Sequence, residues 1–319
     1  MENPILNIKN LSKQYQSRKE LFAIRDFNLT IEPGVLYGLI GPDGAGKSTT
    51  LRILGTVIEP SSGEVWVNGY NVCDDPEKIR PHIGYMPQLF SLYPDLSVVE
   101  NLDFFANINQ VKKEQKKSRI EKMLTFTNLK DFRYRRARNL SGGMKKKLVL
   151  ACSLIHNPRI LILDEPSTGV DPVSRRELWR MLAEVVNQGV TVLVSTPYMD
   201  EADRCKEVAI LYDGSVIAQG PPPELKASLP FDMIEVKSKP RKASYTALEK
   251  QEYVLDWRPV GDRIRLSVEK GKTREVLKSL RASITQQEAK IRVLRKTAPQ
   301  MEDVFTFKVK ELRDRNEPV

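Results

Sequence analysis

The clearest chemistry in the chain lies in Gly41-Pro42-Asp43-Gly44-Ala45-Gly46-Lys47-Ser48-Thr49. The spacing fits G-x-x-x-x-G-K-[ST], a phosphate-binding loop. A triphosphate needs many N–H donors close to its oxygens, and glycines let the backbone approach with no Cβ in the way. A nest of N–H groups followed by a helix N-terminus adds partial positive charge. Lys47 brings a full charge to the β- and γ-phosphates, and the Ser48 hydroxyl is placed to ligate Mg²⁺. Downstream, Ile160-Leu161-Ile162-Leu163-Asp164-Glu165 ends an apolar run with two carboxylates. Asp164 can hold Mg²⁺ through water, and Glu165 can orient the attacking water for in-line displacement at the γ-phosphate.

Weaker signals lie between and beyond these two. Gln88 follows Ile83-Gly84-Tyr85-Met86-Pro87; its neutral amide either ligates Mg²⁺, positions water, or is a plain loop residue. In Leu140-Ser141-Gly142-Gly143-Met144, Ser141 suits an N-cap, and Gly142 and Gly143 leave the next helix's N–H groups bare. That makes a second anion site, although Ser-Gly-Gly is also an ordinary loop sequence. Asp171 before Pro172 fits an N-cap with proline at the first helical position. Tyr15 either packs or stacks on a purine, since an aromatic face suits any base.

The elements that must hold these residues are readable in outline. Val35 to Ile40 forms a buried strand before the phosphate loop, and Thr49 to Leu54 opens a helix after it. Residues 5–10 and 25–32 are short apolar runs between turn signals, strands of an antiparallel edge sheet. Another strand spans Glu64 to Asn68. Ser97-Val98-Val99-Glu100 is a capping box that starts a helix carrying Leu102, Phe105 and Ala106. The stretch from about 89 to 150 is mostly helical and rich in Lys and Arg, an inserted helical subdomain. Val190 to Ser195 is a further buried strand.

The order of these motifs resembles the nucleotide-binding subunit of an ABC transporter, over roughly residues 5 to 225. The resemblance implies an α/β P-loop NTPase of the ABC ATPase fold: a mixed sheet core, an antiparallel edge sheet and a helical subdomain. It implies a Walker A loop at 41–49, a signature at 140–144, a Walker B strand at 160–164 with Glu165 as catalytic base, a Q-loop at Gln88 and a D-loop at Asp171. It also implies that Tyr15 stacks on adenine. In this family two domains close head to tail over ATP, so a hydrolytic site needs two chains. Gln88-Leu89-Phe90-Ser91-Leu92-Tyr93 and Gln300-Met301-Glu302-Asp303-Val304-Phe305 are similar to exporters of the drug and antibiotic resistance type.

One segment departs from the family. Ser-Thr-His-x-Met-x-Glu-Ala is replaced by Ser195-Thr196-Pro197-Tyr198-Met199-Asp200-Glu201-Ala202, so Pro197 stands where a histidine meets the γ-phosphate. Proline has neither a side-chain donor nor an N–H. The chain's histidines, His82 and His156, lie elsewhere. A lost transition-state donor costs about 3 kcal/mol, on the order of a hundredfold in rate. The chain's own site is then slow or degenerate, while its signature completes a competent site on a second ATPase domain. The alternative is that Thr196, Tyr198 or water fills in and the protein is an ordinary homodimer.

Pro221-Pro222-Pro223 closes the first domain, expected at 1–225, and Leu229-Pro230 precedes an accessory domain at 230–319. There the order is strand (233–239), helix (244–251), strand (253–258), strand (263–268), helix (273–282), strand (290–295) and a final helix from 299. The βαββαβ order points to a ferredoxin-like α+β fold. It lacks the aromatic pairs of an RNA-binding sheet, and it is read as a regulatory or dimer-stabilising appendage.

Composition sets outer bounds. The chain has 319 residues, 40% hydrophobic and 29% charged, which excludes a disordered chain and fits two domains. No run approaches the roughly 18 to 20 apolar residues of a membrane span, and Met1-Glu2-Asn3-Pro4 does not resemble a secretory signal. Cys73, Cys152 and Cys205 form no metal pattern and are expected as reduced packing residues of a cytosolic protein. The net charge of +10 fits a polyanionic neighbour, either anionic lipid head groups or nucleic acid, or else a solvated basic face. The expected partners are a membrane permease subunit, docked on Phe90, Leu92 and Tyr93 of the helical insert, and a second ATPase domain; nucleic acid is not expected. The expected cofactors are ATP and Mg²⁺, and the expected location is cytoplasmic, peripheral on the inner face of the cell membrane. A soluble ABC-type ATPase acting on nucleic acid or ribosomes is the rival class. One phosphate loop and no sustained heptads count against it. A non-hydrolysing ATP-binding regulator is the third.

Overall fold

Apolar five- and six-residue runs, buried from end to end, form the centre of the N-terminal unit in the computed structural model. The structure describes residues 4–15, 22–89, 92–249 and 251–316. The chain divides into two compact units, 1–222 and 223–319. The first unit holds β1 (Leu6–Gln14), β2 (Phe22–Ile31), β3 (Leu36–Ile40), α1 (Lys47–Leu54), β4 (Ser62–Val67), β5 (Tyr70–Asn71), α2 (Pro76–Ile79), β6 (Ile83–Met86), α3 (Val98–Ile108), α4 (Lys113–Phe126), α5 (Gly142–Leu154), β7 (Ile160–Asp164), α6 (Pro172–Asn187), β8 (Thr191–Thr196), β9 (Glu207–Tyr212) and β10 (Ser215–Gly220). A short helix, α7 (Pro222–Ala227), runs across the division.

Among the described residues, the core sheet of this unit has the order β10-β9-β3-β8-β7-β6. Its neighbours from β9 to β6 are parallel, and β10 adds antiparallel to β9. Strands β3, β7 and β8 are buried along their whole length, as strands covered on both faces must be. The parallel register brings the C-terminal ends of β3, β7 and β8 together: Ile40 faces Thr196, and Asp164 faces Ser195. Loops leaving that end therefore meet over one crevice, where open α/β sheets bind their ligands. A second, antiparallel sheet has the order β2-β1-β4-β5, and Phe27, Leu29, Leu39 and Leu51 share one core with it.

The capping box at Ser97 forms: the Glu100 N–H donates to Ser97 Oγ at 3.3 Å, and the Ser97 N–H donates to Glu100 Oε2 at 2.7 Å. Asp171 caps α6 through the Val173 and Ser174 N–H groups, both 3.0 Å. Of the cysteines, Cys152 and Cys205 are buried, but Cys73 is exposed. That corrects the expectation for Cys73. Asn71 accepts the Cys73 N–H at 2.8 Å in a local turn that leads the chain outward after β5.

The second unit contains β11 (Phe231–Lys239), α8 (Lys242–Leu248), β12 (Val254–Val260), β13 (Arg263–Glu269), α9 (Thr273–Gln286), β14 (Lys290–Thr297) and α10 (Met301–Asn316). Its sheet has the order β12-β13-β11-β14 with every neighbour antiparallel. That is the split βαβ arrangement. Alternate residues Ile234, Val236, Ile264, Leu266 and Val268 pack against α8 and α9.

Candidate functional site

The phosphate loop leaves β3 and enters α1 at Lys47, with Gly46 at φ +100° and Gly44 at φ +81°. A Cβ at Gly46 would stand 2.3 Å from the Ala23 carbonyl oxygen, so this turn needs a glycine twice over. The Gly41 N–H donates to the Thr196 carbonyl at 3.3 Å, tying the loop to the end of β8. Lys47 is buried, and its Nζ donates to the Gly41 and Pro42 carbonyls at 2.7 and 2.9 Å. Burial holds its ammonium below the ordinary lysine range, with Glu165, Asp43 and Asp164 pulling the other way. Lys47 Nζ stands 3.8 Å from Glu165 Oε1, a pair buried on both sides. Such a pair adds little net stability, so its place in the site is better explained by chemistry.

Strand β7 delivers both carboxylates. Asp164 accepts Ser48 Oγ at 3.0 Å and Ser195 Oγ at 2.6 Å on the same oxygen. Glu165 turns the chain with φ +49°, a left-handed conformation uncommon for a side chain of this size. Its N–H is held there by Ser195, donating to the carbonyl at 3.2 Å and to Oγ at 3.0 Å. Glu165 Oε2 accepts Gln88 Nε2 at 3.1 Å and Thr168 Oγ1 at 3.2 Å. Lys47, Gln88 and the adjacent pair Asp164 and Glu165 thus come from three segments and meet at one crevice. Tyr15, at the end of β1, is partly exposed and lies 3.4 Å from Thr49 Oγ1, beside the same loop.

Ser141 caps α5, accepting the Met144 N–H at 3.3 Å. Gly143 packs against the start of α6; a Cβ there would lie 2.4 Å from Ser174 Oγ. The signature and the Asp171 turn therefore share one edge of the unit. Lys146, one turn into α5, is pushed down by burial, with Glu165 and Asp164 opposing. Between the helical subdomain and the sheet lies a cleft of about 240 Å³ lined by Tyr85, Phe105, Ile108, Cys152 and His156. Phe90, one of the residues expected to dock a partner, lies outside the described residues; Tyr93 is exposed beside Phe104.

Sequence reasoning missed Ser195, Thr168 and Lys146. Ser195 reaches Asp164 across 31 residues and Lys146 lies near Glu165 from another element, so nothing local marks those two, whereas Thr168 bonds Glu165 only three residues away. It also read Ser195 to Ala202 only for its missing histidine. In the structure Thr196 Oγ1 donates to Glu201 at 2.5 Å and accepts the Tyr198 N–H at 3.1 Å. His156 bonds the Ile83 carbonyl at 2.9 Å, and His82 stacks on Tyr70.

A parallel sheet feeding a Gly-Lys-Ser loop and an Asp-Glu strand end, with a capped Ser-Gly-Gly helix on the same unit, defines the ABC ATPase fold. A family model described as ABC transporter matches residues 24–168. The chain is 37% identical over 234 residues to "Nod factor export ATP-binding protein I" of Cupriavidus metallidurans, covering 73% of this chain and 76% of that one. It is 35% identical over 237 residues to "Daunorubicin resistance ATP-binding protein DrrA3" of Streptomyces coeruleorubidus, covering 74% of each. It is 38% identical over 308 residues to "Probable multidrug ABC transporter ATP-binding protein YbhF" of Escherichia coli K12, covering 96% of this chain and 52% of that one. The chain thus spans about half the length of that relative. A solved dimer of the cassette MJ0796, in a post-hydrolysis state bound to ADP and Pi, aligns with TM-score 0.62 and 30% identity over 68% of this chain and 98% of that one. The chain belongs to the ABC transporter family, among its ATP-binding proteins.

Among the described residues, no helix is long and apolar enough to cross a membrane.

Proposed function

We propose that the chain is the ATP-binding subunit of an exporter. It couples ATP binding and hydrolysis to movement of a substrate through a separate membrane-spanning permease. The observation that carries the reading is Glu165 at the end of β7, held by Gln88 and Thr168 and 3.8 Å from Lys47. That placement suits a base that orients water at a γ-phosphate. Relatives named for multidrug ABC transport, Nod factor export and daunorubicin resistance favour transport over a soluble role.

The residues fit MgATP. Gly44 leaves open space where a Cβ would stand, and Lys47 offers a charge whose present acceptors are only loop carbonyls and the Glu165 pair. The hydroxyl of Ser48 and the carboxylate of Asp164 form an all-oxygen set. Such a set suits Mg²⁺, which takes one or two protein ligands and completes its shell with waters and phosphate oxygens. Bound there, the ion would supply charge neutralisation between the phosphates. Lys47 binds phosphate oxygens, Gln88 and Thr168 orient Glu165, and Glu165 takes the proton of the attacking water. Tyr15 is the adenine platform, and Ser141 with Gly142 and Gly143 is offered to the ATP of an opposing domain.

The second ATPase domain is a different chain or half-chain with its own histidine. Two observations support this over the homodimer. Pro197 has no donor to offer, and the neighbouring Thr196 hydroxyl is already committed to Glu201. Tyr198 lies under the Arg175 guanidinium, 4.9 Å from its ring centre. The cleft beside Phe105 and Ile108 is the docking place for the permease, and basic side chains nearby suit anionic lipid. The subunit then works at the cytoplasmic face of the membrane.

ATP turnover of the purified chain tests the reading, measured beside Glu165→Gln and Pro197→His. Slow turnover that Pro197→His raises about a hundredfold, and that Glu165→Gln abolishes, supports a degenerate half-site awaiting a partner. Wild-type turnover equal to that of Pro197→His sinks the heteromer. Turnover unaffected by Glu165→Gln sinks the catalytic assignment itself.

A further inference from the structure

We infer that Glu201 is a positioning residue of the ATP site, joining the Glu165 turn, the Thr196–Pro197 strand end and the Asp171 helix into one body. The inference rests on the ATPase reading of that site. Glu201 is fully buried, and a carboxylate removed from water must be bonded at both oxygens. Its Oε2 accepts Ser167 Oγ at 3.0 Å and Thr196 Oγ1 at 2.5 Å. Its Oε1 accepts Arg175 Nε at 2.6 Å and Trp179 Nε1 at 2.9 Å. The donors come from three segments: the loop after β7, the helix α6 and the end of β8.

Three of the four donors stand one step from a working part. Ser167 precedes Thr168, whose hydroxyl holds Glu165. Thr196 offers its carbonyl to the first N–H of the phosphate loop, on Gly41. Arg175 lies one turn beyond the Asp171 cap, and its Nη2 grips both oxygens of Asp200 at 3.0 and 2.9 Å while its plane covers Tyr198. A shift of the Asp171 turn therefore reaches Glu165 and Pro197 through one carboxylate. Without a histidine to touch the nucleotide, the segment around Pro197 takes its geometry from Glu201.

Packing alone does not call for a charge here, since buried ion pairs are often replaced by apolar residues at no loss of stability. The two oxygens also divide the work. Oε1 serves the helix with N–H donors that cannot turn round, while Oε2 serves hydroxyls that can rotate and accept. Glu201→Gln can keep its oxygen on Arg175 and Trp179 and put its NH₂ against Ser167 and Thr196. Those two hydroxyls must then re-aim while α6 stays anchored.

The test uses the full chain. In the nucleotide-free protein, Glu201→Gln is expected to speed amide exchange in both 165–168 and 196–201 by about fivefold, the ratio for one lost hydrogen bond. In steady state, kcat for ATP falls by about a hundredfold, the scale of a misplaced reacting group, with KM within about twofold because the phosphate loop keeps its contacts. Ser167→Ala is expected to lower kcat in the same direction. Leu182→Ala, in the buried face of α6, serves as the packing control, lowering Tm without that split. The inference fails if only one of the two segments responds in exchange, if kcat is unchanged, or if kcat simply follows Tm as in the control. If wild type and Glu165→Gln are equally inactive, the ATPase reading fails instead, and the exchange data still decide whether Glu201 couples the segments.

Discussion

Each unit of the chain has a buried carboxylate at its centre, and the two are built differently. In the first unit, Glu201 accepts two hydroxyls, one indole N–H and one guanidinium, from segments 167, 175–179 and 196. In the second, Asp303 at the start of α10 accepts Arg258 and Arg265 at 2.8 Å each, and the Gln300 N–H at 2.8 Å. Arg265 is itself buried and also reaches Glu235 at 3.4 Å. Two full charges from adjacent strands on one carboxylate fix a single helix to a single sheet. Mostly neutral donors from a loop, a helix and a strand end join parts that must be re-aimed together without stranding a charge. The Asp303 centre thus rests on two arginine charges, and the Glu201 centre on one, Arg175, beside three neutral donors.

Breaking the scaffold pair gives the largest expected effect. Asp303→Ala leaves the buried Arg265 with only Glu235 at 3.4 Å and the Ala298 carbonyl at 3.1 Å, and breaking a buried pair costs up to about 3 to 5 kcal/mol. Thermal unfolding of the full chain should show the transition of residues 223–319 falling, with ATP affinity within about twofold of wild type. A matching loss of ATP affinity would mean that the second unit is part of the machine. Next in size is Lys47→Ala. Losing a charged donor to phosphate costs about 1.5 to 3 kcal/mol, so a fluorescent ATP analogue should bind roughly ten- to a hundredfold more weakly while Tm changes little. A large loss of Tm with unchanged binding would place Lys47 among the scaffold charges. Smaller again is Trp179→Phe, which removes one neutral donor from Glu201. It should cost about 1 kcal/mol of stability and lower kcat less than Glu201→Gln does. A loss as large as that from Asp303→Ala would erase the contrast between the two centres.

These two centres also mark where sequence stops informing. The Walker-type loop, the Asp-Glu strand end and the caps at Ser97, Ser141 and Asp171 were legible because each is local. A glycine at positive φ, a fully apolar strand or a side chain reaching its own helix terminus leaves its mark within a few residues. The βαββαβ order was legible for the same reason, although α8 begins at Lys242 and ends at Leu248, where the pattern placed it at 244–251. The pairing of Glu201 with Ser167 spans 34 residues, and that of Asp303 with Arg265 spans 38. No period in the sequence encodes such distances; they follow from which strands the sheet sets side by side. Cys73 shows the same limit at one residue, since composition gives cysteine a tendency to be buried but not a place.

The smallest effect concerns a scaffold charge at the surface, and pH is the probe. Asp232 on β11 accepts Lys296 Nζ at 2.8 Å and Thr273 Oγ1 at 2.7 Å. Lys296 first, and then Thr273, hold its carboxyl below the ordinary aspartate range. A depressed folded-state pKa gives stability that is present above the unfolded value, about 3.9, and is lost as pH falls through the folded one. Wild type should therefore exceed Asp232→Asn in stability at pH 6 by no more than about 1 kcal/mol, the scale of a surface ion pair. The advantage should fade as the pH is lowered below about 4. Urea unfolding of the full chain, following the transition of the second unit at pH 6, 4 and 3, reads this directly. An advantage that persists at pH 3 would mean that the Asp232 site favours aspartate over asparagine by shape, and that its charge adds nothing to the scaffold.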